Sequence, residues 1–252
     1  MQWARQKGFP WSVDIVKTSE KAAVNGQLEM LQWLHANGCP WDASTCAWAA
    51  KNGHLEILKW ARANGCPWDA STCGWAAQGG HLEILKWARQ NGCPWHSSTC
   101  GWAAENGHLE LLIWAHENGC LWNEGVYTAA AGRGHFEMLQ WAHENGCPWD
   151  ANTCSSAARG GHFEVLKWAR ANGYPWDAWT CTLAATNGNL EILIKWAREN
   201  GCPWDELTCQ YVAQWGHLAV LKWAHENGLS MGCRHMWVGC SIWTIGILEV
   251  GS

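Results

Sequence analysis

Residues 39–65 read CPWDASTCAWAAKNGHLEILKWARANG, and close copies of this stretch follow one another along the chain. The opening Cys39-Pro40-Trp41 returns in steps of 27 residues, with one step of 28 caused by the inserted Ile194. The equivalent positions of Cys39 are Cys66, Cys93, Cys120, Cys147, Tyr174 and Cys202. A fixed period of about 20–50 residues is typical of solenoids, propellers and other arrays.

One copy, here called a repeat, predicts two short helices. The segment 44–51 reads as a first helix that Asp42, Ser44 or Thr45 can cap and that Gly53 ends. Residues 54–64 have apolar side chains at 55, 57, 58, 60 and 61, which is helical spacing and predicts a second helix that stops at Gly65. Helices this short do not form a core alone, so we expect the repeats to stack.

Composition and charge narrow the class of protein. With 17 Lys+Arg against 22 Asp+Glu and a net charge of −5, the chain has no basic face, which argues against a nucleic-acid partner. The start lacks a signal-peptide pattern, and the longest apolar stretch, 236–250, is shorter than a membrane span. We therefore expect a cytoplasmic, monomeric protein with no membrane partner, and do not exclude the nucleus.

The segment from Ala49 to Lys59 resembles the ankyrin repeat stretch Ala-Ala-x-x-Gly-His-Leu-Glu-Ile-Val-Lys. The Asn64-Gly65 that comes later in the repeat resembles the closing Gly of that family. The resemblance recurs in phase from residue 17 to about 228. It implies an all-α, ankyrin-like helical repeat solenoid of about eight stacked helix-turn-helix units. Ankyrin repeats have 33 residues, and the six missing here fall between Asp69 and Ser71, where that family places its β-hairpin finger. We therefore expect tight turns and little or no β-structure.

The ends of the array depart from this pattern. Residues 1–11 look like a second helix alone, residues 12–228 form the predicted repeat array, and residues 229–252 match no earlier repeat. A partial finger is expected around residues 12–16. The C-terminal segment is interpreted as a cap or an irregular tail, with a membrane or partner anchor as the alternative.

The recurring cysteines and histidines are candidates for chemistry that we interpret as structural. Six residues separate the two members of pairs such as Cys39 and Cys46, which is a poor match to zinc sites, and by the resemblance these cysteines replace a Leu and an Ala that the ankyrin family buries. They are predicted to be reduced, packed thiols, so no metal and no cofactor is expected. His54 and its equivalents recur in nearly every repeat, unlike a catalytic base, and are expected to begin the second helix in a polar capping role.

The 24 tryptophans fall into regular columns. Trp60 and its equivalents lie on the apolar stripe of the second helix and are predicted to pack in the core, where they would dominate the contacts between repeats. The column of Trp48, Trp75 and Trp102 tolerates other side chains in later repeats, so its role stays open.

Binding by solenoids uses positions that differ among otherwise similar repeats. The most variable columns lie on the first helix, and in ankyrin proteins the first helices line the concave face. By this resemblance the predicted partner-binding residues are Lys51, Gln78, Glu105, Thr128, Arg159, Trp179, Gln210 and Gln214. The predicted function is a protein-protein interaction scaffold for a protein or peptide, and the chain is not expected to be an enzyme because it has no phosphate loop or nucleophile motif. The alternatives are an array without a ligand, in a purely structural role, and a fragment of a larger repeat protein.

Overall fold

The computed structural model describes residues 16–186, 196, 199–203 and 205–227. The chain divides after Trp149 into an N-terminal unit, residues 1–149, and a C-terminal unit, residues 150–252, each with its own contacts. The predicted segment 1–11, most of the partial finger and the tail from 229 lie outside the described residues.

The N-terminal unit contains five helix pairs, in each of which a short turn joins a first helix to a second. The helices are α1 (Val16–Val24), α2 (Leu28–Ala36), α3 (Ala43–Lys51), α4 (Leu55–Ala63), α5 (Ala70–Gln78), α6 (Leu82–Gln90), α7 (Ser98–Glu105), α8 (Leu109–Glu117), α9 (Glu124–Arg133) and α10 (Phe136–Glu144).

The C-terminal unit continues the same alternation. Its described helices are α11 (Ala151–Gly160), α12 (Phe163–Ala171), α13 (Ala178–Thr186), α14 (Glu206–Gln214) and α15 (Leu218–Glu226). Here α11, α13 and α14 are first helices, and α12 and α15 are second helices. No described residue lies in a β-strand, which confirms the all-α repeat fold with shortened turns.

Each first helix begins at a polar cap. The carboxylate of Asp42 accepts a hydrogen bond from the Ser44 amide at 2.9 Å, so Asp42 is the residue that caps α3 among the three candidates. Asp69 caps α5 in the same way through the Ser71 amide. Gly53 follows α3 with φ +81°, a left-handed conformation that suits glycine and turns the chain into α4.

The core between the helices is built from small and aliphatic side chains. Ile57, Leu58 and Ala61 are buried on the second helix of one repeat, and Ala49 and Ala50 are buried on the first helix, which packs against it. Trp60 is half-buried, and Trp196 of the same column packs against the buried Cys181 and Cys202. These indoles therefore pack against the core and keep one side exposed.

Candidate functional site: the first-helix face

First helices of successive repeats pack directly side by side within each unit. In the N-terminal unit the contacts run α1–α3, α3–α5, α5–α7 and α7–α9, and in the C-terminal unit they run α11–α13 and α13–α14. We call the outward surface of these helices the first-helix face. It brings side chains that are 27 or more residues apart in sequence next to one another.

The face of α3, α5 and α7 carries a continuous aromatic strip, defined as Trp48, Trp75 and Trp102. The rings of Trp48 and Trp75 are stacked with centroids 5.5 Å apart, and those of Trp75 and Trp102 meet edge to face at 4.7 Å. All three side chains are half-buried, so part of each indole faces outward. Trp48 lies two residues before the buried Ala50, and this offset of about half a turn gives the column an outward position that its sequence alone had left open.

Lys51, one of the predicted binding residues, lies against this strip. Its Nζ is 4.2 Å from the ring centroid of Trp75 and 5.2 Å from that of Trp48. Both distances fall within the range of a cation-π interaction, so the ammonium group is positioned on the aromatic surface by two repeats at once.

Two glycines beside the strip have no steric role in the chain. A Cβ at Gly74 or Gly101 would meet no atom within 4 Å, and both residues lie inside helices, where glycine costs about 0.5–1 kcal/mol relative to alanine. Gly79 differs, because a Cβ there would lie 2.3 Å from the Lys51 carbonyl oxygen. The open glycines leave helix backbone accessible next to Trp75 and Trp102.

The other predicted residues of the N-terminal unit have varied surroundings. Glu105 is exposed and forms an ion pair with Arg133 at 2.8 Å, a partner that sequence analysis did not identify. Thr128 donates its hydroxyl to the Glu124 carbonyl oxygen at 3.1 Å within its own helix, and Gln78 is half-buried. The structure therefore brings Lys51 to the aromatic strip but gives Thr128 a local partner.

The C-terminal unit has a second aromatic pair on its first-helix face. Trp179 on α13 is 43% exposed and meets Tyr211 of α14 edge to face at 5.4 Å. Gln210 and Gln214 are exposed on the same helix α14, and Arg159 is exposed in the last turn of α11. These predicted residues are therefore accessible within this unit.

The second-helix side has a different aromatic arrangement, in which an arginine or a histidine side chain covers each ring. Arg62 lies 4.1 Å over Trp68, Arg89 lies 4.1 Å over Trp95, and the imidazole of His116 stacks on Trp122 at 3.7 Å. On this side each of these tryptophans pairs with an arginine or a histidine, whereas in the strip on the first helices the indoles also contact one another.

The recurring histidines join neighbouring repeats. His81 begins α6 but makes no capping hydrogen bond with its side chain, so the polar capping role predicted for this column is wrong. Its Nε2 instead lies 3.0 Å from the carbonyl oxygen of Lys51, which is the last residue of α3, the first helix of the preceding repeat. A carbonyl only accepts, so Nε2–H is the donor, and the bond satisfies an otherwise free helix-end carbonyl. His54, His108 and His135 make the same contact with Val24, Gln78 and Glu105.

The cysteines of the described residues are free thiols in buried positions. The cysteine that acts on Cys46 is not Cys39 but Cys66, the first residue of the next repeat, because interaction with Cys66 raises the pKa of the Cys46 thiol and lowers that of Cys66. Within the described ranges no three His, Cys, Asp or Glu side chains converge as a metal site would require. The described helices are at most ten residues long, and none has the length and apolar character of a membrane span.

Comparison with known proteins agrees with the geometry. A family model described as ankyrin repeats (many copies) matches residues 20–62, 46–89 and 127–169. The crystal structure of the human ASB11 ankyrin repeat domain shares the fold with a TM-score of 0.57, at 17% sequence identity, over 74% of this chain and 99% of that chain. No curated protein matches the sequence significantly. The matched ranges, the paired helices and the Gly-His turns show that this chain contains ankyrin repeats, over residues 20–89 and 127–169.

Proposed function

We infer that the chain is an interaction scaffold that binds a protein or peptide segment on its first-helix face. Ankyrin repeats are in general protein-protein interaction scaffolds, and the observation that supports this role most directly is the aromatic strip of Trp48, Trp75 and Trp102 with the Lys51 ammonium on it. Tryptophan is enriched among the residues that dominate binding energy at protein interfaces.

The surroundings of the strip favour an extended or helical segment that approaches the backbone closely. Gly74 and Gly101 leave open space beside the rings, and these glycines reduce the stability of helices that need no glycine for packing. A partner that fills this space accounts for their presence. Lys51 adds a positive charge at one end of the strip and favours an acidic group in the partner there.

In the C-terminal unit the corresponding contacts are Trp179, Arg159, Gln210 and Gln214. Trp179 offers a large exposed ring supported by Tyr211, which is the arrangement of an aromatic anchor. We place the protein in the cytoplasm as a monomer that carries out no catalysis. Gel filtration with light scattering tests the oligomeric state.

The alternative is an array with a structural role and no ligand. The near-identity of the repeats favours it, since duplication alone produces regular columns of tryptophan. The two proposals differ in what they expect of the aromatic strip. Substitutions in the strip should weaken partner binding if the chain is a scaffold, whereas a structural array without a ligand should show no interaction that needs the strip.

Affinity capture with the immobilised full chain, followed by binding of the purified partner, tests the function. We expect Trp75→Ala and Trp102→Ala each to lower the affinity for the partner at least tenfold, and Lys51→Ala to lower it less. Gln90→Ala, an exposed change on α6 away from this face, is the matched control and should leave the affinity unchanged. Circular dichroism and urea midpoints confirm that each variant is folded. Equal affinities for the strip variants and the control would contradict the proposal.

A further inference from the structure

The three indoles of the aromatic strip carry hydrogen-bond donors that the chain itself does not use. An indole Nε1–H only donates, and no residue of the chain accepts a hydrogen bond from the described side chains of Trp48, Trp75 and Trp102. None of the three nitrogens is buried without a partner, so each stays within reach of water or of a ligand. The helices α3, α5 and α7 thus each contribute one unpaired donor to the first-helix face.

The backbone beneath the strip limits the conformation of a segment that could use these donors. Its amide and carbonyl groups are engaged within the helices, and no described residue forms a strand to which a partner could add another strand. A helical partner has already used most of its carbonyl oxygens in its own helix, so it would leave the indole donors unpaired. The face therefore suits an extended segment that has free carbonyl oxygens and few N–H groups of its own.

A proline-rich segment in the polyproline II conformation has these properties. Its backbone makes no internal hydrogen bonds, so each carbonyl oxygen is an available acceptor, and each proline lacks an N–H that would need a partner. Segments of this kind dock in grooves lined by aromatic side chains. The open space at Gly74 and Gly101, directly beside Trp75 and Trp102, leaves room for prolyl rings.

The period of such a segment also matches the spacing of the repeats. Polyproline II advances about 3.1 Å per residue and three residues per turn, which gives about 9 Å per turn. Packed helices lie about 8–10 Å apart, and α3, α5 and α7 pack directly against one another in this order. One turn of the segment therefore spans one repeat, and a residue type that recurs at every third position meets an equivalent place on each helix.

We propose that the first-helix face of the N-terminal unit binds a proline-rich segment in the polyproline II conformation, with one proline per repeat across α3, α5 and α7. Carbonyl oxygens of the segment accept hydrogen bonds from the indole N–H groups of Trp48, Trp75 and Trp102. Lys51, whose ammonium group lies on the rings of Trp48 and Trp75, pairs with an acidic residue at that end of the segment. This inference rests on the proposed function and names the class of its partner.

Fluorescence anisotropy of two labelled synthetic peptides, titrated with the full chain, tests the proposal. The first peptide carries proline at every third residue and a glutamate at each end, and the second has the same composition with proline at every fourth residue. We expect the first peptide to bind about tenfold more tightly, because only its period matches the repeats.

Substitution of tryptophan by phenylalanine isolates the role of the indole donors, since it keeps an aromatic ring and removes the N–H. We expect Trp75→Phe and Trp102→Phe each to lower the affinity for the first peptide by about three- to tenfold, the contribution of one hydrogen bond. Trp87→Phe is the matched control, because it makes the same change at a half-buried indole on α6, and it should leave the affinity unchanged.

Nuclear magnetic resonance of the indole N–H groups provides a second readout. The signals that disappear in Trp75→Phe and Trp102→Phe are those of the two donors, and we expect them to shift in the original chain when the first peptide is added. Circular dichroism shows whether each variant keeps its helices.

The proline-rich partner is ruled out if the two peptides bind equally, if neither binds, or if Trp75→Phe and Trp87→Phe have the same effect. Such a result leaves the scaffold role standing when Trp75→Ala still lowers the affinity for the captured partner. If Trp75→Ala leaves that affinity unchanged, the proposed function itself is wrong.

Discussion

Gly74 and Gly79 are only five residues apart, but the structure gives them opposite roles. Gly74 lies inside α5 next to open space, whereas Gly79 caps the helix against the Lys51 carbonyl oxygen with an ordinary helical φ of −78°. We expect Gly74→Ala to stabilise the fold by about 0.5–1 kcal/mol, since alanine is the better helix former. Gly79→Ala should destabilise it by about 1–3 kcal/mol, because its Cβ overlaps backbone. Urea denaturation of both variants checks the contrast, and the same sign for both would contradict it.

If the first-helix face binds a partner, Gly74→Ala should also lower the affinity for that partner while it stabilises the free chain. A gain in stability together with a loss in affinity identifies a position kept for binding. An unchanged affinity would show that the space beside Trp75 is not used.

Because thiols are buried in the folded chain, the free energy of unfolding should decrease at alkaline pH. Burial, with a smaller contribution from Cys202, raises the pKa of Cys154 from 9.0 to about 12. The unfolded thiol therefore loses its proton first, so stability is full below about pH 9 and falls as the pH rises toward 12. We expect Cys154→Ser to reduce the slope by up to about 1.4 kcal/mol per pH unit in this window. Urea unfolding at pH 8, 9.5 and 10.5 measures it, and parallel curves for the two chains would contradict the assignment.

The cap of each first helix is a single side chain with a measurable contribution. Asp69 accepts from the Ser71 amide at 2.9 Å, and Asn123 accepts from the Gly125 amide at 3.1 Å in the equivalent place. We expect Asp69→Ala to destabilise the fold by about 1 kcal/mol and Asp69→Asn to be close to neutral. Urea midpoints decide this, and equal losses for the two variants would assign the effect to charge and not to the cap.

The helix pairs could be predicted from the sequence because their signals are local. Asp42, Gly53 and the spacing of Leu55, Ile57 and Leu58 fix the caps, the turn and the buried side within one repeat. The contacts between repeats could not be predicted in this way. The bond from His81 to the Lys51 carbonyl and the interaction of Cys46 with Cys66 depend on how two elements face each other, which the spacing of one repeat does not specify.

The candidate site was predicted in part for the same reason. Sequence variation within the repeats indicated the first helix and found Lys51 and Trp179. It did not find the aromatic strip, because the change of the Trp48, Trp75 and Trp102 column to other side chains in later repeats shows that the position tolerates substitution and does not show that three rings contact one another. Direct packing of α3, α5 and α7 places the three rings on one surface.

At the scale of the whole molecule, repetition means that the same contacts between adjacent repeats recur along the chain. Within each unit the described first helices contact those of the neighbouring repeats, and at four positions a histidine bridge adds to this contact, so the array is held together by interactions between adjacent repeats. The same repetition gives the N-terminal unit a surface in which one residue type recurs on adjacent helices. A partner that binds the first-helix face, as proposed, would contact several repeats at once.

The central claim, partner binding on the first-helix face, is tested most directly by hydrogen exchange of the full chain with and without its purified partner. We predict that the partner slows exchange in peptides covering 43–51, 70–78 and 98–105, which carry the aromatic strip, and leaves 55–63 and 82–90 on the second helices unchanged. Slower exchange confined to the second helices, or uniform across both sets, would contradict it.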